Sequence, residues 1–306
     1  MASPPPGVQR DFPLARLTTI RTGGRADLFA RAGALEELER LLAWAEDEGL
    51  EVGVVGSGSN LLVADAGVRG LVVKLGKELS KIEIDGTRIE CGGGARLPSV
   101  SARAAQVGLT GLEFGVNIPG TVGGAVRMNA NAYGGQLARV LEWVDVADGS
   151  GARRRAPDEL GFEYRRSNLQ PGEVVAQASF RLQPAESAEV KATLADMRAR
   201  RKAAQPSGIK TFGSTFKNPD DPRAEGRTAG QLLQEAGCRG LSVGGASFSS
   251  KHANFIVNHG DATTADVIGV MAEGRRRVFE RFGIGLEAEV QTLGPVELPA
   301  EWEARG

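Results

Sequence analysis

Two glycine-rich runs carry the strongest chemical signal in the chain. The first is Val55-Gly56-Ser57-Gly58-Ser59-Asn60-Leu61-Leu62-Val63, directly after a short apolar stretch. The second runs from Gly111 to Ala125 and contains Gly115, Ile118, Pro119, Gly120, Thr121, Gly123, Gly124 and Ala125. Backbone without side chains can approach a ligand closely and turn its amides toward negative charge. Small polar residues follow both runs, where a nucleotide triphosphatase loop would carry lysine. The first run also lacks the Gly-x-Gly-x-x-Gly spacing of a dinucleotide fold. Alone, it serves equally as a pyrophosphate cradle or as a tight turn between strands. The second run leads into Asn129, Asn131 and Ala132-Tyr133-Gly134. Amide side chains beside bare backbone can bond phosphates and a heterocycle edge. So many backbone amides need a partner, which favours ligand binding over a loop packed by small residues. The two runs together point to a large phosphate-bearing cofactor held from two sides.

Three shorter runs add candidate reactive groups. Tyr164-Arg165-Arg166-Ser167 offers guanidinium groups that clamp a carboxylate through paired hydrogen bonds, or else a solvated charge run. Gly213-Ser214-Thr215-Phe216-Lys217-Asn218-Pro219 packs a hydroxyl, an ammonium and an amide into one short span. No histidine lies near it, so a serine hydrolase is a poor reading. A serine that protonates a carbanion stays open, beside an ordinary turn before Pro219. Leu286-Glu287-Ala288-Glu289-Val290 sets two carboxylates two residues apart, on one face if the segment is a strand. His252 and His259 read as hydrogen-bonded structural residues, and Cys91 and Cys238 as small buried hydrophobes. No metal site is expected.

The elements that position these groups are read from periodicity. A helix is expected between Gly33 and Gly49, with Leu35, Leu38, Leu41, Leu42 and Ala45 on one stripe. Strands are expected at Val52–Val55 and Leu71–Leu75, and a hairpin at Lys81–Ile84 and Arg88–Glu90 around Asp85-Gly86. Leu97–Gln106 reads as a helix with Pro98 in its first turn. The central glycine run is too glycine-rich for a good helix interior. Val140–Ala147 and Val174–Leu182 read as strands separated by an arginine-rich turn. Helices follow at Ala188–Ala204, Thr228–Ala236 and Ala265–Phe282, the last capped by Thr263 or Thr264 and closed by Gly283. Strands are expected at Asn254–Asn258 and Leu286–Leu293. The proline-rich first dozen residues are expected to be loose. Three consecutive units result: residues 14–75, 76–183 and 184–298.

With 306 residues the chain is long enough for a well-buried core. Its 42 glycines are about twice the usual share and fall in loops, which argues for special turns and against a fibre. A net charge of −1 gives no sign of nucleic-acid or anionic-membrane binding. Two cysteines and no Cys-x-x-Cys argue against a disulfide framework, in keeping with a reducing compartment. No apolar signal segment or membrane-length stretch is read, so a cytoplasmic location is expected.

Taken in order, these runs resemble the UDP-N-acetylenolpyruvoylglucosamine reductase family. The resemblance spans nearly the whole chain, from Thr18-Thr19 and Gly23-Gly24 to Glu289-Val290. It is carried by Gly-Ser-Gly-Ser-Asn-Leu-Leu at 56–62, Ile-Pro-Gly-Thr-Val-Gly-Gly-Ala at 118–125 and Tyr-Arg at 164–165. Gly-Ser-Thr-Phe-Lys-Asn-Pro at 213–219, Lys-His-Ala-Asn-Phe-Ile-Val-Asn at 251–258 and Leu-Glu-Ala-Glu-Val at 286–290 complete it. The resemblance implies an α+β protein. Its first two units would form a two-part FAD-binding fold of the vanillyl-alcohol oxidase type, and the third a C-terminal α+β substrate domain. Chain length and the spacing of the C-terminal third resemble the subtype without an inserted tyrosine loop over the substrate.

The implied activity is that of an FAD-dependent oxidoreductase. It reduces UDP-N-acetylglucosamine enolpyruvate to UDP-N-acetylmuramate with NADPH, through noncovalent FAD, for peptidoglycan. The resemblance makes Arg165 and Glu289 the pair that polarises the substrate carboxylate and Ser214 the proton donor. Glu289 is preferred over Glu287 because it stands directly before Val290. It places Tyr164, Lys217 and Asn218 on the substrate, with Lys217 also a candidate to stabilise the serine alkoxide. FAD contacts are expected from Val55 to Leu61, from Gly115, Ile118–Thr121 and Gly123–Ala125, and from Asn129, Ala132, Val175 and Arg201. A monomer is expected. Two competing readings are a flavin oxidase of the same fold, reduced by its own substrate without NADPH, and a noncatalytic nucleotide-binding regulator.

Overall fold

The computed structural model describes residues 3–298. The chain forms two compact units that interleave in sequence. The first takes Asp27–Ser57 and Arg69–Arg201, with N-terminal residues up to Phe12. The second takes Pro13–Ala26, Gly58–Val68 and the described residues from Lys202 to Leu298. This division differs from three consecutive segments: Gly58–Val68 clusters with the C-terminal part, and most of the helix Ser187–Ala204 with the first unit.

The first unit holds two larger sheets. In one, the order is Gln9–Pro13, Arg25–Ala32, Val68–Leu75 and Val52–Val54, with Val52–Val54 parallel to Leu71–Val73. The helix Leu35–Asp47 covers it through the expected stripe, with Leu38, Leu41, Leu42 and Ala45 all buried. Gln9–Pro13 is thus an edge strand, where looseness was expected; its charged and polar residues lie outward, as an edge requires.

The second sheet is antiparallel, in the order Gly151–Arg155, Leu141–Asp148, Val174–Arg181, Arg88–Gly92 and Ile82–Asp85. The hairpin around Asp85-Gly86 is as expected, and so is the helix Leu97–Gln106. Where a turn was read, Gly151–Arg155 is a strand. Its arginines are exposed or half-buried on an edge, so no apolar alternation marks it. Val122–Arg127 is a short helix in the run judged too glycine-rich for one, started by Thr121 Oγ1 accepting from the Gly124 amide at 3.4 Å.

The second unit packs the helix Thr264–Phe282 on the sheet Ser242–Val243, Ala246–Phe248 and Ile256–Asn258, with the helix Ala229–Glu235 against it. Phe212, Phe216, Phe248, Leu232, Val270 and Met271 are buried in its core. Thr263 caps the last helix, and Gly283 ends it in the left-handed conformation at φ 69°. Asp65 adds a second cap, its carboxylate accepting from the Thr264 and Ala265 amides at 2.8 and 3.0 Å. The expected strand Leu286–Leu293 is regular only at Gln291–Leu293, which runs parallel to Leu61–Val63. Leu286–Val290 instead meets the Ser214–Lys217 segment through an isolated bridge between Ala288 and Phe216.

Candidate functional site

The first unit contains a cavity of about 290 Å³. One wall is the end of the strand Val52–Val54 and the start of the first glycine run, at Val55, Gly56 and Ser57. A second is Thr121, Gly123 and Gly124 of the central run, and a third is Gly93-Gly94 with Val174 and Val175. Glycine is required where these walls meet. A Cβ on Gly93 would stand 1.8 Å from the Val175 carbonyl oxygen, and one on Gly56 would stand 2.4 Å from Thr121 Oγ1. The Gly123 amide donates to Gly93 O at 2.8 Å, and the Gly93 amide to Ala176 O at 2.7 Å.

These bonds revise one expectation. The amides of Val122, Gly123, Gly124 and Ala125 all donate within the chain, so the central run is not a row of amides awaiting a ligand. Its glycines first serve close backbone packing, and the surface so formed then lines the cavity.

Charge inside the cavity is predominantly positive. Lys74, Arg96 and Arg127 line it against a single carboxylate, Glu173. That carboxylate is already matched by Arg155 and by Arg153 at 3.2 Å. Burial, then the cations Arg31 and Arg96, hold the Lys74 ammonium below the usual lysine range, and its Nζ donates to Gly56 O. Arg127 is buried against the carbonyls of Leu169, Gln170 and Glu173, at 3.2, 3.2 and 3.0 Å. Burial lowers it as well. Crowded cations around a glycine-lined hollow favour an anion such as a diphosphate, and Val54, Val55, Leu75 and Val175 add an apolar wall for a ring. Lys74, Arg96 and Arg127 were missed because all three lie outside the two glycine runs, although Arg127 follows the second by only two residues. The Gly92-Gly93-Gly94 run beside Arg96 was the available signal.

Other expected cofactor residues lie outside this lining. Gly115 packs on the helix Leu97–Gln106, where a Cβ would come within 2.6 Å of Ser101 Oγ. Ala125 is buried in the core, while Ile118 is packed against it. Asn129 is buried, with Nδ2 donating to Glu163 O at 3.0 Å and Oδ1 accepting from the Ala138 amide at 3.3 Å. Ala132 sits in a two-residue strand facing Gly135. Arg201 donates to Asn117 O, and burial lowers its pKa. Arg165 adopts φ 58° and donates to Asn131 O at 3.1 Å, beside the exposed Tyr164 ring.

The second unit brings Ser214 and Glu289 onto neighbouring segments. Gly213, at φ 88°, sets the turn before Ser214. The Glu289 amide donates to Thr215 O, and the Lys217 amide to Glu287 O, at 2.8 and 2.9 Å. Asn60 Nδ2 donates to Glu289 O at 3.0 Å, so this residue of the first run holds Glu289 backbone. Gly58 packs against Leu17 O, where a Cβ would stand 2.0 Å away. Ser214 and Glu289 are half-buried, whereas Glu287 is exposed. Lys217 Nζ pairs with Glu287 at 2.5 Å, and Asn218 Oδ1 accepts from the Ala229 amide at 3.1 Å. His259 and Ser247 share a 2.8 Å hydrogen bond, and His252 Nδ1 accepts from the Asn254 amide at 3.2 Å. Both cysteines are buried, and burial pushes the Cys91 thiol to about 12 and the Cys238 thiol to about 11.

A family model for the FAD-binding domain matches residues 26–156, the region that supplies much of the cavity. The chain is therefore an FAD-binding oxidoreductase with the vanillyl-alcohol oxidase type of cofactor fold. The family model for the UDP-N-acetylenolpyruvoylglucosamine reductase C-terminal domain matches residues 205–293. UDP-N-acetylenolpyruvoylglucosamine reductase of Sphingopyxis alaskensis is 46% identical over 287 residues, covering 93% of this chain and 94% of its own. UDP-N-acetylenolpyruvoylglucosamine reductase 2 of Symbiobacterium thermophilum is 44% identical, covering 95% and 93%. The crystal structure of the Thermus caldophilus reductase superposes with a TM-score of 0.80 at 38% identity, covering 94% of this chain and 98% of that one. The chain belongs to the UDP-N-acetylenolpyruvoylglucosamine reductase family.

The residues present fit the cofactor. The cavity supplies backbone and cations for a diphosphate and aliphatic side chains for a ring. Among the described residues, no group of three or more His, Cys, Asp or Glu could hold a metal, and no helix is long and apolar enough to cross a membrane.

Proposed function

We propose that this chain reduces UDP-N-acetylglucosamine enolpyruvate to UDP-N-acetylmuramate, with NADPH as hydride source and noncovalent FAD as relay. The observation that carries this reading is identity of 44–46% to reductases of that name over nearly the whole chain. Bound FAD would supply the hydride-transfer chemistry between NADPH and the enolpyruvyl double bond. The protein must then handle negative charge on the carbon beside the substrate carboxylate. Arg165 spreads that charge electrostatically, and Glu289 does so as a neutral, hydrogen-bonding carboxyl. Ser214 Oγ donates the proton that quenches it. Lys217, held by Glu287, and Asn218 contact the UDP-sugar, with Tyr164. Lys74, Arg96 and Arg127 hold the cofactor diphosphate, together with Gly56, Ser57, Thr121, Gly123 and Gly124.

The segments 14–75 and 76–183 serve the cofactor and 184–298 the substrate, although Gly58–Val68 is packed with the latter. The enzyme acts in the cytoplasm as a monomer and is of the subtype without the tyrosine loop. The test is spectroscopic. Purified protein should be yellow, bleach anaerobically with NADPH, and recover on addition of the enolpyruvyl substrate. Acid denaturation should leave the flavin in the supernatant. Bleaching by a small alcohol in place of NADPH would favour the oxidase, and absence of any turnover the regulator.

A further inference from the structure

The run Lys-His-Ala-Asn-Phe-Ile-Val-Asn at 251–258 has no part in the reaction as assigned above, yet one of its residues grips the reactive segment. Asn254 is buried, 4% exposed. Its Oδ1 accepts from the Phe216 amide at 2.9 Å, and its Nδ2 donates to the Phe216 carbonyl at 2.9 Å. Its own carbonyl accepts from the Thr215 amide at 2.8 Å. A single carboxamide thus satisfies both polar groups of one residue, replacing a strand partner. The replacement is needed because regular pairing fails there: Ser214 and Phe255 form only an isolated bridge, and the strand proper begins at Ile256.

The opposite edge of the same segment carries the carboxylates. Thr215 O accepts from Glu289, and Lys217 donates to Glu287 O. The proton donor and Glu289 are therefore registered to each other through the short backbone stretch Thr215–Lys217, and Asn254 fixes that stretch from behind. His252 Nδ1 in turn accepts from the Asn254 amide, and Ser249 Oγ accepts from the amides of Lys251 and His252. The asparagine thus sits on a loop that is itself tied down.

We propose that Asn254 is a positioning residue for the proton transfer: its carboxamide sets the register of Ser214 against Glu289. Asn254 touches neither substrate nor cofactor in this role; it acts through Phe216 and Thr215. The inference rests on the assignment of Ser214 as proton donor.

The test is a double-mutant cycle on the flavin-loaded enzyme, with the two half-reactions followed separately by stopped-flow absorbance. Asn254→Asp keeps the shape and the acceptor for the Phe216 amide but loses the donor to its carbonyl. Asn254→Ala removes both. Reduction by NADPH should stay within about twofold in either variant, which also shows that the protein is folded and loaded. Reoxidation by the enolpyruvyl substrate should slow by about tenfold for Asn254→Asp and more for Asn254→Ala. The solvent deuterium isotope effect on that step should rise. In the Ser214→Ala background, Asn254→Asp should add little further loss, because a residue acting through Ser214 has nothing left to position. Losses that multiply in the double variant, or equal slowing of both half-reactions, would overturn the proposal and leave Asn254 a folding residue. Should Ser214→Ala alone leave reoxidation intact, the proton-donor assignment falls and this inference with it. A slowed Ser214→Ala with an unimpaired Asn254→Asp and Asn254→Ala would remove this inference alone.

Discussion

The cavity wall of the first unit and the reactive segment of the second are held in opposite ways. Around the cavity, backbone meets backbone: Gly93 lies against Val175, Gly123 against Gly93, and Gly56 against the Thr121 side chain. Side chains there would only intrude. In the second unit, side-chain amides grip backbone: Asn254 holds Phe216, Asn60 holds Glu289, and Asn258 Nδ2 holds Ile20 O at 2.9 Å. The difference suits two tasks. A diphosphate is met by cations over a surface that must be bare, whereas a proton donor must be set to within a fraction of an ångström of its target. Enclosed glycines give a smooth wall; carboxamides give register.

The largest expected effect falls on the second unit. Ser214→Ala should slow reoxidation about a hundredfold or more, the scale for losing a positioned acid, while NADPH still bleaches the flavin at near-normal rate. Impairment of both steps alike would break the separation between a cofactor wall and a reactive segment.

Next comes the acid pair. Glu289→Gln should retain FAD and lose most of the reoxidation rate, by about tenfold or more. Glu287→Gln should cost less than Glu289→Gln and show chiefly as a raised KM, since Glu287 is exposed and pairs with Lys217. Equal losses in the two variants would put the whole segment, and not Glu289, at the centre.

A smaller effect tests the first unit. Gly93→Ala places a Cβ 1.8 Å from the Val175 carbonyl, so backbone must move. Urea unfolding should show a loss of about 1–3 kcal/mol, as for other overpacked sites, and fluorescence titration weaker FAD binding. Unchanged stability and affinity would mean that the wall is not set by its glycines.

The smallest effect sits where the first unit does rely on side chains. Arg88, with Arg181 and Ser179, holds the Glu142 carboxyl down at about 2. A depressed carboxyl stabilises the fold above its unfolded value and loses that contribution as pH falls from about 4.5 toward about 2. Glu142→Gln should lower Tm by about 2–4 °C near neutral pH, with the gap to wild type closing on acidification. A gap that persists in acid would exclude the charge network as its source.

Periodic elements were legible in the chain. The stripe of Leu38, Leu41 and Leu42 and the Asp85-Gly86 hairpin were read correctly because local pattern and tertiary packing ask for the same residues. Elements whose signal is nonlocal were not. Gly151–Arg155 has arginines where strands usually show apolar alternation, and Val122–Arg127 is a helix despite two glycines because its start is capped and its face buried. Leu286–Val290 reads as a strand but is shaped by its bonds to Thr215 and Lys217. In the site, both glycine runs were found, but the amides of Val122–Ala125 were misjudged as awaiting a ligand. Arg96 had only the neighbouring Gly92-Gly93-Gly94 run to mark it and Arg127 only its place just past the second run, and folding alone brings them to one cavity with Lys74. Asn254 stood inside a recognised run, but nothing in spacing alone says that it reaches Phe216.

Asn60 and Glu289 are 229 residues apart, and Leu61–Val63 waits for Gln291–Leu293. A ribosome delivers the second of these partners 229 residues after the first. During synthesis, the strand Leu61–Val63 leaves the tunnel with its eventual neighbour still unmade, an edge open to wrong pairing until Gln291–Leu293 follows. Cutting the chain before Gln291 would make that interval permanent.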